Sequence, residues 1–72
     1  MTVAQLATTL KNAIDQAPEG EIVVSIHLFG IRHARELESV SLRELVEAAH
    51  VHKSYATEIR KGMKLAEYVQ VK

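Results

Sequence analysis

The chain has 72 residues, so we expect one domain over residues 1–72 with no room for a second. It contains no cysteine, which excludes disulfide frameworks, thiolate zinc sites and cysteine nucleophiles. Nine basic and nine acidic residues give a formal net charge of zero, whereas a dedicated nucleic-acid binder is more often basic.

The first predicted helix covers residues 3–17. Thr2 and Gln5 have the spacing of a capping box, in which Thr2 caps the helix and Gln5 reaches back to it. The inward face then consists of apolar residues at four- and three-residue steps, namely Leu6, Leu10, Ile14 and Ala17. Pro18 and Gly20 predict that the helix ends in a turn.

Residues 22–37 allow two interpretations. The β-branched run at residues 22–26 could be a strand, whose only available partner would be the tail at residues 68–71. A helix is favoured by apolar or aromatic residues at helical spacing, namely Ile22, Ile26, Phe29, His33 and Leu37. Other apolar residues widen this stripe until it is nearly all-round, which is typical of a central bundle helix. Gly30 predicts close packing against another helix, and His27 is expected in the core or near the surface.

Two short helices are predicted between residues 41 and 62. Ser41 and Glu44 have the spacing of a second capping box, followed by a helix that ends near His50. Its inward side consists of Leu42, Leu45, Val46 and Ala49. Helical spacing resumes over residues 53–61, and Gly62 is predicted to be the C-terminal cap. The predicted fold is therefore all-α, a small bundle of four or five helices that contains a helix-turn-helix.

Residues 41–62 contain the parts of a helix-turn-helix in the required order, including an apolar plug at Val51 after the turn. The segment resembles the helix-turn-helix of the phage-repressor (Cro-like) superfamily at Leu42, Leu45, Ala49, Val51, Ser54, Tyr55, Ile59 and Gly62. Residues 27–31, 53–55 and 58–63 together resemble, more closely, a family of short stand-alone prokaryotic HTH-like domain proteins. That likeness runs from about residue 20 to the end of the chain, and it implies a DNA-binding protein.

The segment departs from the repressor pattern around the turn. His50 stands where glycine usually makes the turn, so its backbone must be left-handed or the turn must differ. His52 stands where serine or threonine would cap the second helix. Val46 replaces a smaller residue, and Ala56 replaces a branched apolar one.

In the conventional docking geometry, polar residues near the start of the second helix read base edges, here His52, Lys53, Ser54, Thr57 and Glu58. Lys53 can donate to guanine, Thr57 can touch a thymine methyl group and Glu58 can accept from a cytosine amino group. Backbone N–H groups near Ser41, together with Arg43, are placed for a phosphate. Further phosphate contacts are expected from Arg60, Lys61 and Lys64. Because acids prevail at residues 36–47 and bases prevail after residue 50, a local basic surface is compatible with zero net charge.

The sequence therefore predicts a transcriptional regulator that binds double-stranded DNA as a homodimer, since one such unit reads too few bases to be selective. The dimer seam is assigned to the outer face of the first helix or to the C-terminal apolar residues Leu65, Tyr68, Val69 and Val71. The alternative is a protein–protein interaction module of the same fold that does not bind DNA. Zero net charge and the altered turn motivate this alternative.

No catalytic residue, metal site or cofactor is predicted. The only aspartate, Asp15, falls on a solvated helix face, and His50 and His52 are interpreted as turn residues rather than metal ligands. The sequence has no positively charged start followed by an apolar run, so a secretory signal is not expected. The longest apolar stretch, near residues 22–31, is too short to span a bilayer. With the absence of cysteine, these features favour a cytoplasmic protein without a membrane partner.

Overall fold

Five α-helices account for the secondary structure of residues 1–71, the part of the chain that the computed structural model describes. They are α1 (Val3–Asp15), α2 (Ile22–Arg32), α3 (Ala34–Leu37), α4 (Leu42–Ala48) and α5 (Tyr55–Leu65). No strand occurs in this range, so the prediction of an all-α bundle is confirmed. Lys72, the last residue of the predicted domain, lies outside the described residues.

α1 begins with the predicted capping box. Thr2 Oγ1 accepts the N–H of Gln5 at 3.1 Å, and Gln5 Oε1 accepts the N–H of Thr2 at 2.8 Å. The helix ends at Asp15 rather than at the predicted Ala17, because a residue that precedes proline is disfavoured in the helical conformation. The inward face of α1 is anchored in the core by Leu6 and Leu10, which are fully buried.

The helix predicted at residues 22–37 is divided in two at His33, where the backbone has φ −113° and ψ 19°. α2 packs against both α1 and α5, and α3 packs against α5 as well. Phe29 and Leu37 lie on opposite sides of the break and are both buried. The first turn of α2 is exposed at Ile22, Val23 and Val24, so this helix is apolar all round without being buried all round.

α2 and α5 meet at two glycines, and their backbones touch there. A β-carbon built on Gly30 would lie 2.6 Å from the carbonyl oxygen of Ile59, and one built on Gly62 would lie 3.0 Å from the α-carbon of Gly30. Close helix packing at Gly30 is thus confirmed. The prediction of Gly62 as a C-terminal cap is wrong, because Gly62 lies inside α5 and provides the space for α2.

All five helices contribute to the core. Its fully buried large side chains are Leu6, Leu10, Ile26, Leu37, Leu45, Val46 and Ile59. The inward side predicted for α4 is confirmed, since Leu42, Leu45, Val46 and Ala49 are all buried. No charged or polar side chain is buried among residues 1–71. The single core therefore holds α4 and α5 by their apolar faces and leaves their outer faces to solvent.

Candidate nucleic-acid interface

The bend between α4 and α5 is made at His50, which has a left-handed backbone with φ 57°. Its N–H donates to the carbonyl of Glu47 at 3.1 Å, and the N–H of Val51 donates to the carbonyl of Val46 at 3.1 Å. This pair of bonds is a Schellman motif, which satisfies the last carbonyls of α4. One of the two expectations for His50, a left-handed backbone at the glycine position, is confirmed. α4 itself ends at Ala48, slightly earlier than predicted.

His52 holds the turn before α5 with its side chain, whereas Ser54, the residue next to the helix, makes no side-chain cap hydrogen bond. His52 Nδ1 accepts the backbone N–H of Ser54 at 3.0 Å, and Ser54 Oγ lies 2.7 Å from the same nitrogen. Because Nδ1 accepts, the neutral ring carries its proton on Nε2. The N–H groups of Tyr55, Ala56 and Thr57 each donate to the carbonyl three residues earlier, so a tight turn leads into the helix. The regular helix consequently starts at Tyr55 and not at residue 53 as predicted.

One face of α5 faces the core and the other faces solvent. Ile59 and Gly62 are buried, whereas Tyr55, Ala56 and Met63 are partly buried against the same core. The helix runs on to Leu65, beyond the predicted end at residue 61. The outward residues Thr57, Arg60, Lys61 and Lys64 are exposed. The sequence pattern therefore identified the inward side of this helix correctly but not its bounds.

The outward side of α5 and the turn before it carry a basic stripe, which we define as Lys53, Thr57, Arg60 and Lys64. Lys53 lies in the turn, whereas Thr57, Arg60 and Lys64 recur at three- and four-residue steps along one side of the helix, and all four residues are exposed. Lys64 pairs with Glu67 at 3.1 Å. Lys53 and Arg60 form no ion pair within residues 1–71. Since exposed ion pairs contribute little to stability, Lys64 can exchange Glu67 for another anion at small cost.

Glu58 lies beside the basic stripe but is turned toward α2. His27 Nε2 donates to Glu58 Oε1 at 2.8 Å, and Lys61 Nζ lies 3.4 Å from Glu58 Oε2. The hydrogen bond from His27 lowers the pKa of Glu58; desolvation opposes this shift, and Lys61 adds to it. Both carboxylate oxygens are therefore occupied within the protein, which does not favour the predicted role of Glu58 in reading cytosine. The sequence could not show this contact, because the two residues are 31 positions apart.

Ser41 and Arg43, which were predicted to contact a phosphate from the first helix of the helix-turn-helix, lie at the start of α4. Ser41 Oγ accepts the N–H of Glu44 at 3.3 Å, which confirms Ser41 as the cap, although only this half of the capping box forms. Arg43 forms an exposed pair with Glu47 at 3.3 Å. Arg43, Glu47 and Lys53 line one shallow depression between α4 and α5, so the structure brings Arg43 to the Lys53 end of the basic stripe.

The described part of the chain has two further properties that bear on function. No group of three histidine or acidic side chains in residues 1–71 could hold a metal ion. None of the described helices has the length and apolar character needed to cross a membrane.

A family model described as an HTH-like domain matches residues 2–72, which is nearly the whole chain. Neither the curated proteins nor the solved structures contain a match to this sequence.

Proposed function

The chain belongs to the HTH-like domain family, and from this premise we propose that it binds double-stranded DNA with α5 in the major groove. The observation that carries the proposal is the basic stripe, which is exposed on one side of a helix whose opposite side is buried in the core. An α-helix with its side chains is about 10–12 Å wide, which matches a major groove of about 12 Å.

Side-chain chemistry assigns roles along the proposed interface. Lys53 and Thr57, near the start of α5, face base edges, where lysine donates to guanine and a threonine methyl group packs on thymine. His52 and Ser54 flank this position, and the Nε2–H of the His52 imidazole is a further donor. At the other end, Arg60, Lys61 and Lys64 neutralise phosphates. On the side of α4, Ser41 and Arg43 approach the backbone of the duplex.

A transcriptional regulator of this type acts as a homodimer on paired half-sites, because a single unit reads too few bases. We assign the dimer seam to the apolar residues at the C-terminal end, where Leu65 and Val69 are exposed and Tyr68 is 75% exposed. Val71, also predicted for this seam, is partly buried. On the basis of the sequence likeness, we also propose that the protein is prokaryotic and cytoplasmic and that it is related to the Cro-like repressors.

Selection from a random duplex library tests the proposal. Binding is selected at low salt and then challenged at higher salt, where affinity should fall by about 0.9 log units per log unit of salt for each phosphate contact. An enriched motif with this salt dependence supports sequence-specific DNA binding. Recovery of no motif, with no salt-dependent mobility shift on any duplex, contradicts it.

A second candidate function is a protein–protein interaction module with the same fold and no DNA binding. The observation that favours it is the exposed apolar surface near the C-terminal end, formed by Leu65, Tyr68 and Val69. In that case Tyr68→Lys abolishes association with the partner, whereas Arg60→Gln has no effect on it. In a duplex-binding assay, a loss of affinity in Arg60→Gln favours DNA binding, whereas Tyr68→Lys does not discriminate there because Tyr68 also belongs to the assigned dimer seam.

A further inference from the structure

Glu58 is an acid among the bases of α5, one turn before Lys61 and next to the basic stripe. A carboxylate at such a position repels a polyanionic duplex if it is free to turn outward. We infer that His27 is a positioning residue, which holds the Glu58 carboxylate against α2 and away from the DNA-facing side of α5. This inference rests on the DNA-binding function proposed above.

The contact geometry carries the inference. His27 Nε2 and Glu58 Oε1 are 2.8 Å apart, a short bond between a ring N–H and a carboxylate. The side chains of His27 and Glu58 are only 28% and 22% exposed, whereas that of Lys61 is 59% exposed. The carboxylate is thus withdrawn into the α2–α5 junction, while its basic neighbour remains in solvent.

The glycine contact explains how a side chain as short as histidine can reach α5. The backbone of His27 lies against Gly62, and a β-carbon on Gly62 would collide with the His27 carbonyl oxygen. Glu58 is one helical turn before Gly62, on the same side of α5. The close approach at Gly62 therefore sets a helix spacing that the imidazole can bridge, and a wider spacing would leave Glu58 without this partner.

Loss of His27 leaves Glu58 only its pairing with Lys61, at 3.4 Å between Nζ and Oε2. An exposed pair of this kind holds a side chain weakly, so the carboxylate can rotate toward the duplex. It then also draws Lys61 away from the phosphate that we assign to it. We expect a loss of DNA affinity of roughly three- to tenfold at constant salt, since charge complementarity at an interface affects binding strongly.

The test uses four variants of the full chain and a duplex of random sequence at low salt. His27→Leu fills the space but cannot donate, whereas His27→Gln can donate its amide N–H to the carboxylate. We expect weaker binding for His27→Leu, near wild-type binding for His27→Gln, and restored binding in the double variant His27→Leu with Glu58→Gln. Glu58→Gln alone should bind at least as tightly as the wild type.

Restored binding in the double variant distinguishes a positioning role of His27 from a general loss of structure, because removing the Glu58 charge does not repair a damaged core. If folded His27→Leu binds as the wild type does, or if the double variant binds as weakly as His27→Leu, the inference is overturned. Should His27→Leu fail to fold, the same comparison is made with His27→Ala.

A measurement without DNA keeps this inference distinct from the proposed function. NMR titration of the Glu58 carboxyl group should show its pKa rising when His27 is replaced by leucine, because the hydrogen bond that lowers the pKa is lost. An unchanged titration overturns the positioning role even if DNA binds. A changed titration in a chain that binds no duplex overturns the DNA-binding proposal while the His27–Glu58 contact stands.

Discussion

Gly30 of α2 and Gly62 of α5 face each other with no side chain between them. A β-carbon on Gly30 would lie 2.9 Å from the Gly62 α-carbon, and one on Gly62 would lie 3.0 Å from the Gly30 α-carbon. Both obstacles are backbone atoms, so neither can move aside as the end of a flexible side chain can. The position of α5 relative to the core is therefore set by direct backbone contact.

Gly62→Ala should destabilise the protein, although alanine is intrinsically the better helix former. Overpacking costs about 1–3 kcal/mol, and contact with backbone atoms belongs at the upper end of that range, above the gain of about 1 kcal/mol from helix propensity. Urea denaturation measures the change in the free energy of unfolding. Thr57→Ala, on the exposed side of the same helix, is the matched control and should remain within about 0.5 kcal/mol of the wild type. A Gly62→Ala variant as stable as the wild type would show that the two helices are not in close contact.

His50→Gly should stabilise the protein by about 1 kcal/mol, because glycine adopts the left-handed backbone of this residue without steric cost. His50→Val should destabilise it, since a β-branched residue is the least tolerant of a positive φ. Thermal unfolding of the two variants measures both effects. The opposite order of stability would mean that the bend between α4 and α5 is not left-handed at His50.

His52→Ala should cost about 1 kcal/mol of stability, the usual effect of losing one hydrogen bond, here the bond from the Ser54 N–H in the turn before α5. His52→Ser should restore most of it, because a serine oxygen can accept the Ser54 N–H in place of the imidazole nitrogen. Chemical denaturation gives the stability, and amide hydrogen exchange at the start of α5 gives the local effect. Equal exchange rates in the alanine variant and the wild type would contradict a role of His52 in holding this turn.

Glu58 should make stability depend on pH in the acid range. Its pKa is lowered in the folded protein from an ordinary value of 4.5, so its contribution is present above that value and is lost as pH falls through the folded pKa. The stability difference between the wild type and Glu58→Gln should therefore be largest above pH 4.5 and disappear in stronger acid. Urea midpoints measured across this range test the sign. Glu19→Gln, at an exposed turn, is the control.

Arg60→Gln should weaken DNA binding and reduce the slope of log affinity against log salt by about 0.9, the value for one lost phosphate contact. Arg32→Gln removes the same charge from the end of α2, where Arg32 lies beside the C-terminal end of α1. This control should leave the slope unchanged. Fluorescence anisotropy at several salt concentrations measures both variants, and equal slopes would exclude Arg60 from the interface.

Local chemistry was sufficient to predict much of this structure. Thr2 and Ser41 cap their helices as expected, and helical spacing placed Leu45 and Ile59 correctly in the core. The left-handed backbone at His50 was one of the two alternatives that its position in the pattern allowed. These features depend on residues within a few positions of one another, so the sequence records them directly.

The remaining features arise from contacts between distant segments. Gly62 has the local pattern of a cap, yet it lies inside α5 because α2 occupies the space where its side chain would be. The break at His33 has no local signal in the sequence, and beyond it α3 packs against α5. Glu58 was predicted to face DNA. Its contact with His27 was missed because His27 belongs to another helix. Only the tertiary arrangement determines these positions.

The residues that attach α5 to the core are different from those on its outward side. Ile59 and Gly62 are buried against the core, whereas Lys53, Thr57, Arg60 and Lys64 are exposed. The outward positions can therefore be varied together without removing a buried side chain. This small domain is accordingly a suitable framework for selecting helices with new binding preferences, without further engineering of its interior.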